Sequence, residues 1–352
     1  MAWSIRRLAR LRILRAPGCL SLAIAVGIAL TGCAGLSGGS GNALVLYSAQ
    51  HPETTSAIVA AFTRQTGIKV LVKDNSEDVL TAQLEQEGSR SPADVFYTEN
   101  SNWLQQLDAR GLLAKVAGTT LANTPRRDGA TNGDWLGISG RFSGLIYNPG
   151  KVQAAQLPKT ALALASPRYK GMLELAPAET DFWPIITSIA RAHGRSTALS
   201  WLKGLKANAG SNDNTQDNET LVSDVNNGVV AMGLINHYYY FRIRSELGAA
   251  FHAKLAFFAP RDPGYVKDIS AAGILKSSPH QQAAQKFLAF LTSPAGQQVI
   301  ARSSSYEYPL VKNVAPNPAL PPLRSFKPNS ITPAEIGTGL DARDLLREAG
   351  LI

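Results

Sequence analysis

The sequence predicts an α/β fold built on a doubly wound, mostly parallel sheet. Two observations predict it. From residue 43 onward, strand-like and helix-like runs alternate in the order β-α-β-α-β-α, the pattern of a sheet with crossover helices. Hydrophobic residues make up 45% of the 352 residues and charged residues 17%, a balance that excludes a disordered chain. Length alone suggests roughly two domains.

The elements follow in order. Ala43–Ser48 reads as the first strand, and Gln50-His51-Pro52-Glu53 as a turn. The next run carries Ile58, Val59, Ala61 and Phe62 on one face and stops at Gly67, a helix with its stop signal. Ile68–Val72 is a second strand. Ser76 caps a helix with Leu80 and Leu84 one turn apart, ending near Gly88. Ala93–Tyr97 is a third strand, and Thr98-Glu99-Asn100 leads into another helix. Trp135–Tyr147 is strand-like and Gly-rich, long enough to carry the chain into a second domain. Residues 148–260 repeat a mixed α/β pattern, with Trp201–Leu205 as a helix end and Val229–Ile235 as a buried strand. Ile269–Leu275 is a further strand. Phe287, Leu288, Phe290 and Leu291 form the apolar stripe of a helix near 280–292, and Ser293-Pro294 opens the next one. Pro309–Pro328 is Pro-rich and extended, and Asp341–Ala349 is a short terminal helix.

The first 32 residues read as an address. They hold five arginines (Arg6, Arg7, Arg10, Arg12, Arg15) and no acid, so removing them takes the formal net charge from +9 to +4. The basicity is therefore largely N-terminal, which weakens a nucleic-acid reading. The apolar run Cys19–Leu30 is twelve residues long, short of the ~20 that span a bilayer but right for a signal-peptide core. Leu30-Thr31-Gly32-Cys33 looks like a bacterial lipobox, whose small residues admit a peptidase and whose thiol accepts a lipid. The reading is a lipoprotein signal over 1–32, lipidation at Cys33, and a flexible linker over 33–42. Arg6-Arg7 leaves twin-arginine export open beside the general route. With Cys19 removed and Cys33 acylated, no thiol remains for a disulfide, zinc or catalysis.

In open α/β sheets ligands bind beyond the carboxyl ends of strands. His51 and Glu99 each follow a predicted strand, so both can point into one crevice. Asn236-His237-Tyr238-Tyr239-Tyr240 follows the 229–235 strand. If the chain turns there into a helix, Tyr238 and Tyr239 diverge by only about 100° and converge on one point. Two phenols suit a hard, highly charged cation. A phenol with a free pKa near 10 binds as phenolate at neutral pH only under strong polarisation, which Fe(III) supplies. A histidine nitrogen and a carboxylate complete a mixed nitrogen and oxygen set. Each residue alone has a plainer reading: the tyrosines as packing, His51 as a surface or capping histidine, Glu99 as a helix-start carboxylate. Their joint appearance after strands carries the argument. HExxH, P-loop and GxGxxG motifs are absent from the sequence.

Seven motifs resemble, in order, those of bacterial periplasmic ferric-iron-binding proteins, the solute receptors of iron ABC importers. They are Leu46-Tyr-Ser-Ala-Gln-His51, Thr66-Gly-Ile-Lys-Val70, Pro92-Ala-Asp-Val-Phe-Tyr-Thr-Glu99, Ser139-Gly-Arg141, Trp201-Leu-Lys-Gly-Leu205, Leu234-Ile-Asn-His-Tyr-Tyr239 and Glu307-Tyr-Pro-Leu310. They cover nearly all of residues 43–352. The resemblance implies a two-lobe periplasmic-binding-protein fold (type II), with lobe 1 over 43–140 plus 262–310 and lobe 2 over 141–261 plus 311–352. It places His51, Glu99, Tyr238 and Tyr239 at Fe(III)-ligand positions. It places Asn218 and Asn236 where a synergistic anion such as carbonate or phosphate is assisted.

One departure stands out. Where many members carry a Ser-Gly-Ala anion-binding turn, this chain reads Ala178-Glu179-Thr180-Asp181-Phe182. Glu179 and Asp181 would repel an anion, and either ligate iron or take the anion's place through its water. Arg141 either neutralises charge at the cleft or braces the hinge; Tyr97, Tyr240 and His237 are reserve candidates. The expected function is a lipid-anchored, extracytoplasmic, monomeric Fe(III) receptor, not an enzyme, that delivers its ion to an ABC permease and binds no nucleic acid. The alternatives are a receptor of the same fold for a sugar phosphate, polyamine, thiamine or organic anion, and a surface-anchored hydrolase using His51 and Glu99 as acid and base.

Overall fold

A computed structural model describes residues 43–352. The signal, lipidation and linker expectations, Cys19 and Cys33 included, lie outside these residues. Ten strands occur among them: β1 (Leu44–Ala49), β2 (Val70–Asp74), β3 (Val95–Thr98), β4 (Leu113–Ala114), β5 (Trp135–Tyr147), β6 (Leu173–Glu174), β7 (Met232–Asn236), β8 (Lys254–Ala256), β9 (Lys267–Leu275) and β10 (Tyr308–Pro309). The sheet runs in the order β2-β1-β3-β9-β5-β7-β6, with β10 and β8 attached to β5 and β4 to β9. The α/β class holds, but the sheet is mixed. Parallel pairing is confined to β1 with β2, β1 with β3, and β6 with β7. The reason is β9, which arrives from late in the chain and inserts antiparallel between β3 and β5.

Strand β5 joins the two halves of the sheet. Its residues 135–142 pair with β9, and its residues 143–147 pair with β7 and β8. It is buried along all but its last residue, as a strand covered on both faces must be. The pairing slips between Gly137 and Ser139. A side chain on Gly137 would sit 2.4 Å from the Asp128 carbonyl, so only glycine lets that loop approach the bulge.

The helix Pro52–Thr66 begins directly after His51, so Pro52 and Glu53 are its first turn and not a separate loop. Proline suits that position because its missing N–H has no helical partner there. Gly67 ends the helix at φ 73°, the left-handed cap that glycine adopts freely. The helix buries Ile58 and Phe62, and Phe62 meets Phe287 and Phe290 at centroid distances of 5.0 and 5.6 Å. Each such side chain contributes about 1.5–3 kcal/mol by leaving water. Ser76 precedes the helix Glu77–Glu87, but its hydroxyl donates to Asp78 Oδ1 at 2.6 Å and does not cap a backbone N–H. Ser293 does cap, accepting from the Gly296 N–H. The 201–205 segment is the middle of a helix, Arg195–Ala209, and not its end. Gly204 is there for packing: a Cβ would lie 2.7 Å from that of Ala165. Among the described residues, no helix is long and apolar enough to cross a membrane.

Candidate metal centre

Three chain turns deliver side chains to one cavity of ≈ 690 Å³ between the halves of the sheet. His51 comes from the end of β1, Glu99 from the end of β3, and Tyr239 from the first turn of the helix His237–Leu247 that follows β7. This is the carboxyl-end placement that parallel strands favour. Thr180 and the helix-start residues of 76–78 line it as well.

His51 Nδ1 lies 3.4 Å from Glu99 Oε1 and 3.5 Å from Arg242 Nη1. Its Nε2 is buried and has no hydrogen-bond partner. Burial, then the Arg242 charge, pushes the imidazole pKa down to about 4. The ring is therefore neutral at pH 7, with a lone pair free for a metal.

Tyr238 and Tyr239 stack with ring centroids 4.0 Å apart and 29° between planes. His51 meets Tyr238 edge-on at 5.3 Å. The Tyr238 hydroxyl has one proton and faces two carboxylates, Glu99 Oε2 and Asp181 Oδ2, each at 3.2 Å. Acceptors outnumber donors at this point. Burial, and then neighbouring carboxylates led by Asp181, raises both phenol pKa values well above the ordinary range. Burial likewise raises Glu99, against the pull of Arg141. Such a cluster holds protons in the absence of a cation and exchanges them for a cation when one enters.

Beneath the cluster sits Arg141, fully buried on β5. Its Nη2 reaches Asp181 Oδ1 at 3.1 Å and Asn100 Oδ1 at 2.6 Å; its Nη1 reaches Glu307 Oε1 at 3.0 Å and Ser270 Oγ at 2.9 Å. Burial opposes its charge, but Asp181, Glu307 and Glu99 outweigh that and raise its pKa well above the ordinary value. Glu307 also accepts from Ser139, Ser270 and Gln50. Gln50 in turn accepts the His51 N–H at 2.8 Å, so the floor fixes the histidine's backbone.

Glu77 is a half-buried carboxylate of the cavity wall that the sequence did not mark out. It accepts from the Asn100 N–H (2.6 Å) and side chain (2.9 Å), Trp103 Nε1 (2.9 Å), Thr98 and Thr180 (2.6 Å). Thr180 comes from the opposite side of the cavity, so this carboxylate ties the two sides together. Nothing local marks Glu77, since its partners are up to 103 residues away.

The other candidates divide. Glu179 lines the cavity, and burial with the Asp181 charge raises its pKa to about 8. Asp181 is buried and held by Arg141, Asn100 and Tyr238. Asn218 lines a separate small crevice together with Asp181. Asn236 is buried at the end of β7, with neither amide atom hydrogen-bonded. His237 is structural: Nδ1 accepts the Phe142 N–H at 3.0 Å, and Nε2 meets the Tyr306 carbonyl at 3.1 Å. Tyr240 packs against Phe241 and Phe251. Tyr97 lies on β3, between β1 and β9, and is wholly buried in the core. Among the described residues, no three His, Cys, Asp or Glu side chains gather as a metal site. A cation held here takes its ligands from the phenols as well.

Residues 48–298 match the family model for bacterial extracellular solute-binding proteins. The chain is 37% identical over 310 residues to the Fe(3+)-binding periplasmic protein of Serratia marcescens, covering 88% of this chain and 90% of that one. Its structure is similar to that of iron-bound HitA from Pseudomonas aeruginosa, with a TM-score of 0.83, 39% identity, and 88% and 99% of the two chains covered. It is also similar to Trichodesmium IdiA (FutA) in complex with iron and citrate ligands, with a TM-score of 0.79, 30% identity, and 88% and 100% covered.

Proposed function

This chain belongs to the family of bacterial extracellular solute-binding proteins, and from that premise we propose that it captures Fe(III) between the two halves of its sheet and delivers it to an ABC permease. His51 Nε2, a Glu99 oxygen and the Tyr238 and Tyr239 phenolates are the protein ligands. The observation that carries this reading is the acceptor-rich cluster: one phenol hydroxyl facing two carboxylates at 3.2 Å, with a stacked second phenol and an unpartnered imidazole nitrogen beside it. Two phenolates and one carboxylate together balance a trivalent ion, and hard oxygen donors select it over soft metals. The names of the relatives, ferric-binding in Serratia and iron-bound in Pseudomonas, agree with it.

The protein works outside the cytoplasm. Cys33 anchors it by lipid, and lobe 1 (43–140 plus 262–310) closes on lobe 2 (141–261 plus 311–352) by hinge motion at the β5 and β9 crossovers. Its role is capture and release, not turnover.

Isothermal titration of the mature chain with a ferric chelate, beside sugar phosphates, polyamines, thiamine and organic anions, tests the reading. Saturable one-to-one uptake of iron is expected. Heat from an organic ligand and none from iron would reassign the cleft to a small-molecule receptor.

A further inference from the structure

We propose that the cavity holds a second subsite, formed by Arg343, Trp183 and Asn102, that takes a carboxylate of a small organic chelator, so that ferric iron enters the cleft with its carrier. The inference rests on the iron reading above for the metal and goes on to name the form in which the metal arrives.

The cavity is larger than a bare ion needs. Its ≈ 690 Å³ falls in the ~300–1,000 Å³ of small-molecule pockets. Besides the proposed ligands it is lined by Trp103, Trp183 and Arg343. Arg343 lies in the first turn of the helix Leu340–Ala349. Its Nε is buried without a partner, and among the described residues its side chain forms no hydrogen bond or ion pair. Trp183, 6% exposed, has no partner for Nε1, and Asn102, 2% exposed, has none for either amide atom. Gly339, directly before Arg343's helix, joins these groups. A Cβ there would lie 2.9 Å from the Trp183 ring and 3.2 Å from Asn102 Nδ2. Buried donors are normally paired, so this cluster of idle ones points to a ligand that brings acceptors.

The backbone carries the same sign. Asn102, Trp183 and Arg343 each stand in the first turn of a helix: Ser101–Ala109, Trp183–His193 and Leu340–Ala349. None of the three helices has a side-chain cap. Three positive helix ends therefore meet around Gly339 and favour a negative group there. A carboxylate matches the flat fork of a guanidinium. Trp103, whose ring lies 5.8 Å from that of Trp183, gives its own N–H to Glu77 at 2.9 Å. Glu77 spreads its charge over that donor and those of Asn100, Thr98 and Thr180, which leaves Arg343 for the ligand.

The test titrates citrate, tricarballylate and inorganic phosphate into the iron-free mature chain, read by calorimetry and tryptophan fluorescence. Tricarballylate has citrate's carboxylates without the hydroxyl that grips ferric iron. Saturable binding of both organic anions in the absence of metal is expected. Arg343→Gln and Trp183→Phe are expected to weaken it ~10–100-fold. Both variants should slow uptake of iron from ferric citrate but not from ferric acetohydroxamate, which carries no carboxylate. Iron-free wild type that binds neither organic anion, an Arg343→Gln protein that binds them as tightly as wild type, or phosphate bound as tightly as citrate would overturn the inference and leave the iron reading standing. Wild type that binds tricarballylate but takes up no ferric iron from either complex would overturn the iron reading and leave the carboxylate subsite.

Discussion

Two layers of buried polar groups meet at the junction of the sheet, and they differ in how well they are satisfied. In the floor, Arg141, Glu307, Ser270, Ser139 and Asn100 form a network in which the charges are paired and, of the arginine's nitrogens, only Nε is without a partner. In the cleft just above, His51 Nε2 has no partner and Tyr238 offers one proton to two carboxylates. The floor pairs its charges within the protein, whereas the cleft keeps surplus acceptors for the cation proposed to bind there. The same contrast appears between two buried imidazoles. His237 has both nitrogens occupied by backbone groups, and His51 keeps one free. Burial lowers the pKa of both, so burial does not distinguish the two imidazoles; the unpartnered nitrogen does.

Substitutions can break this contrast. Arg141→Met leaves Asp181 and Glu307 buried without their cation. It should cost about 3–5 kcal/mol of unfolding free energy, seen in denaturant midpoints whether or not iron is present. Tyr238→Phe should do the reverse. It removes a hydroxyl from an acceptor-rich cluster, leaves stability nearly unchanged, and lowers iron affinity by more than the ~10–100-fold typical of an outer-shell partner. If Arg141→Met left stability intact, the floor would not be the brace described here.

Thr180→Val sharpens the boundary between the layers. It removes one charge-assisted hydrogen bond to Glu77 across the cleft, worth about 1.5–3 kcal/mol, and should weaken iron retention through a faster off-rate with the ligands intact. The last effect is one of slope with pH and comes from His237. Its folded pKa of about 3 lies below the ordinary value, so the unfolded chain binds the extra proton between them. Its contribution is full above pH 6.5 and is lost as pH falls toward 3, at about 1.4 kcal/mol per pH unit. The denaturant midpoint of His237→Gln, compared with wild type across that range, should lack this part of the slope.

The elements after strands were the legible part of the molecule. His51 and Glu99 could be placed from the strand-then-polar pattern, and the tyrosine pair from the turn into a helix, because each signal is local. Sheet direction was not legible: β9 has the same apolar pattern whether it runs parallel or antiparallel, and its neighbours come from distant parts of the chain. Gly204 reads as a stop signal but serves close packing against Ala165. Glu77 went unmarked, and Gln50 and Glu307 were marked only as parts of motifs, because their roles exist only through partners scores of residues away. Arg141 was readable as a charge at the cleft or a brace at the hinge; it pairs with Asp181 at 3.1 Å and with Glu307 at 3.0 Å.

The measurement closest to the central claim is the visible absorption spectrum of the ferric-loaded protein, taken with metal analysis for wild type and Tyr238→Phe. Phenolate bound to Fe(III) gives a charge-transfer band, so a reddish wild type with one iron per chain and a weakened or shifted band in the variant is predicted. A colourless wild type after ferric loading, with Tyr238→Phe holding iron equally well, would contradict the account.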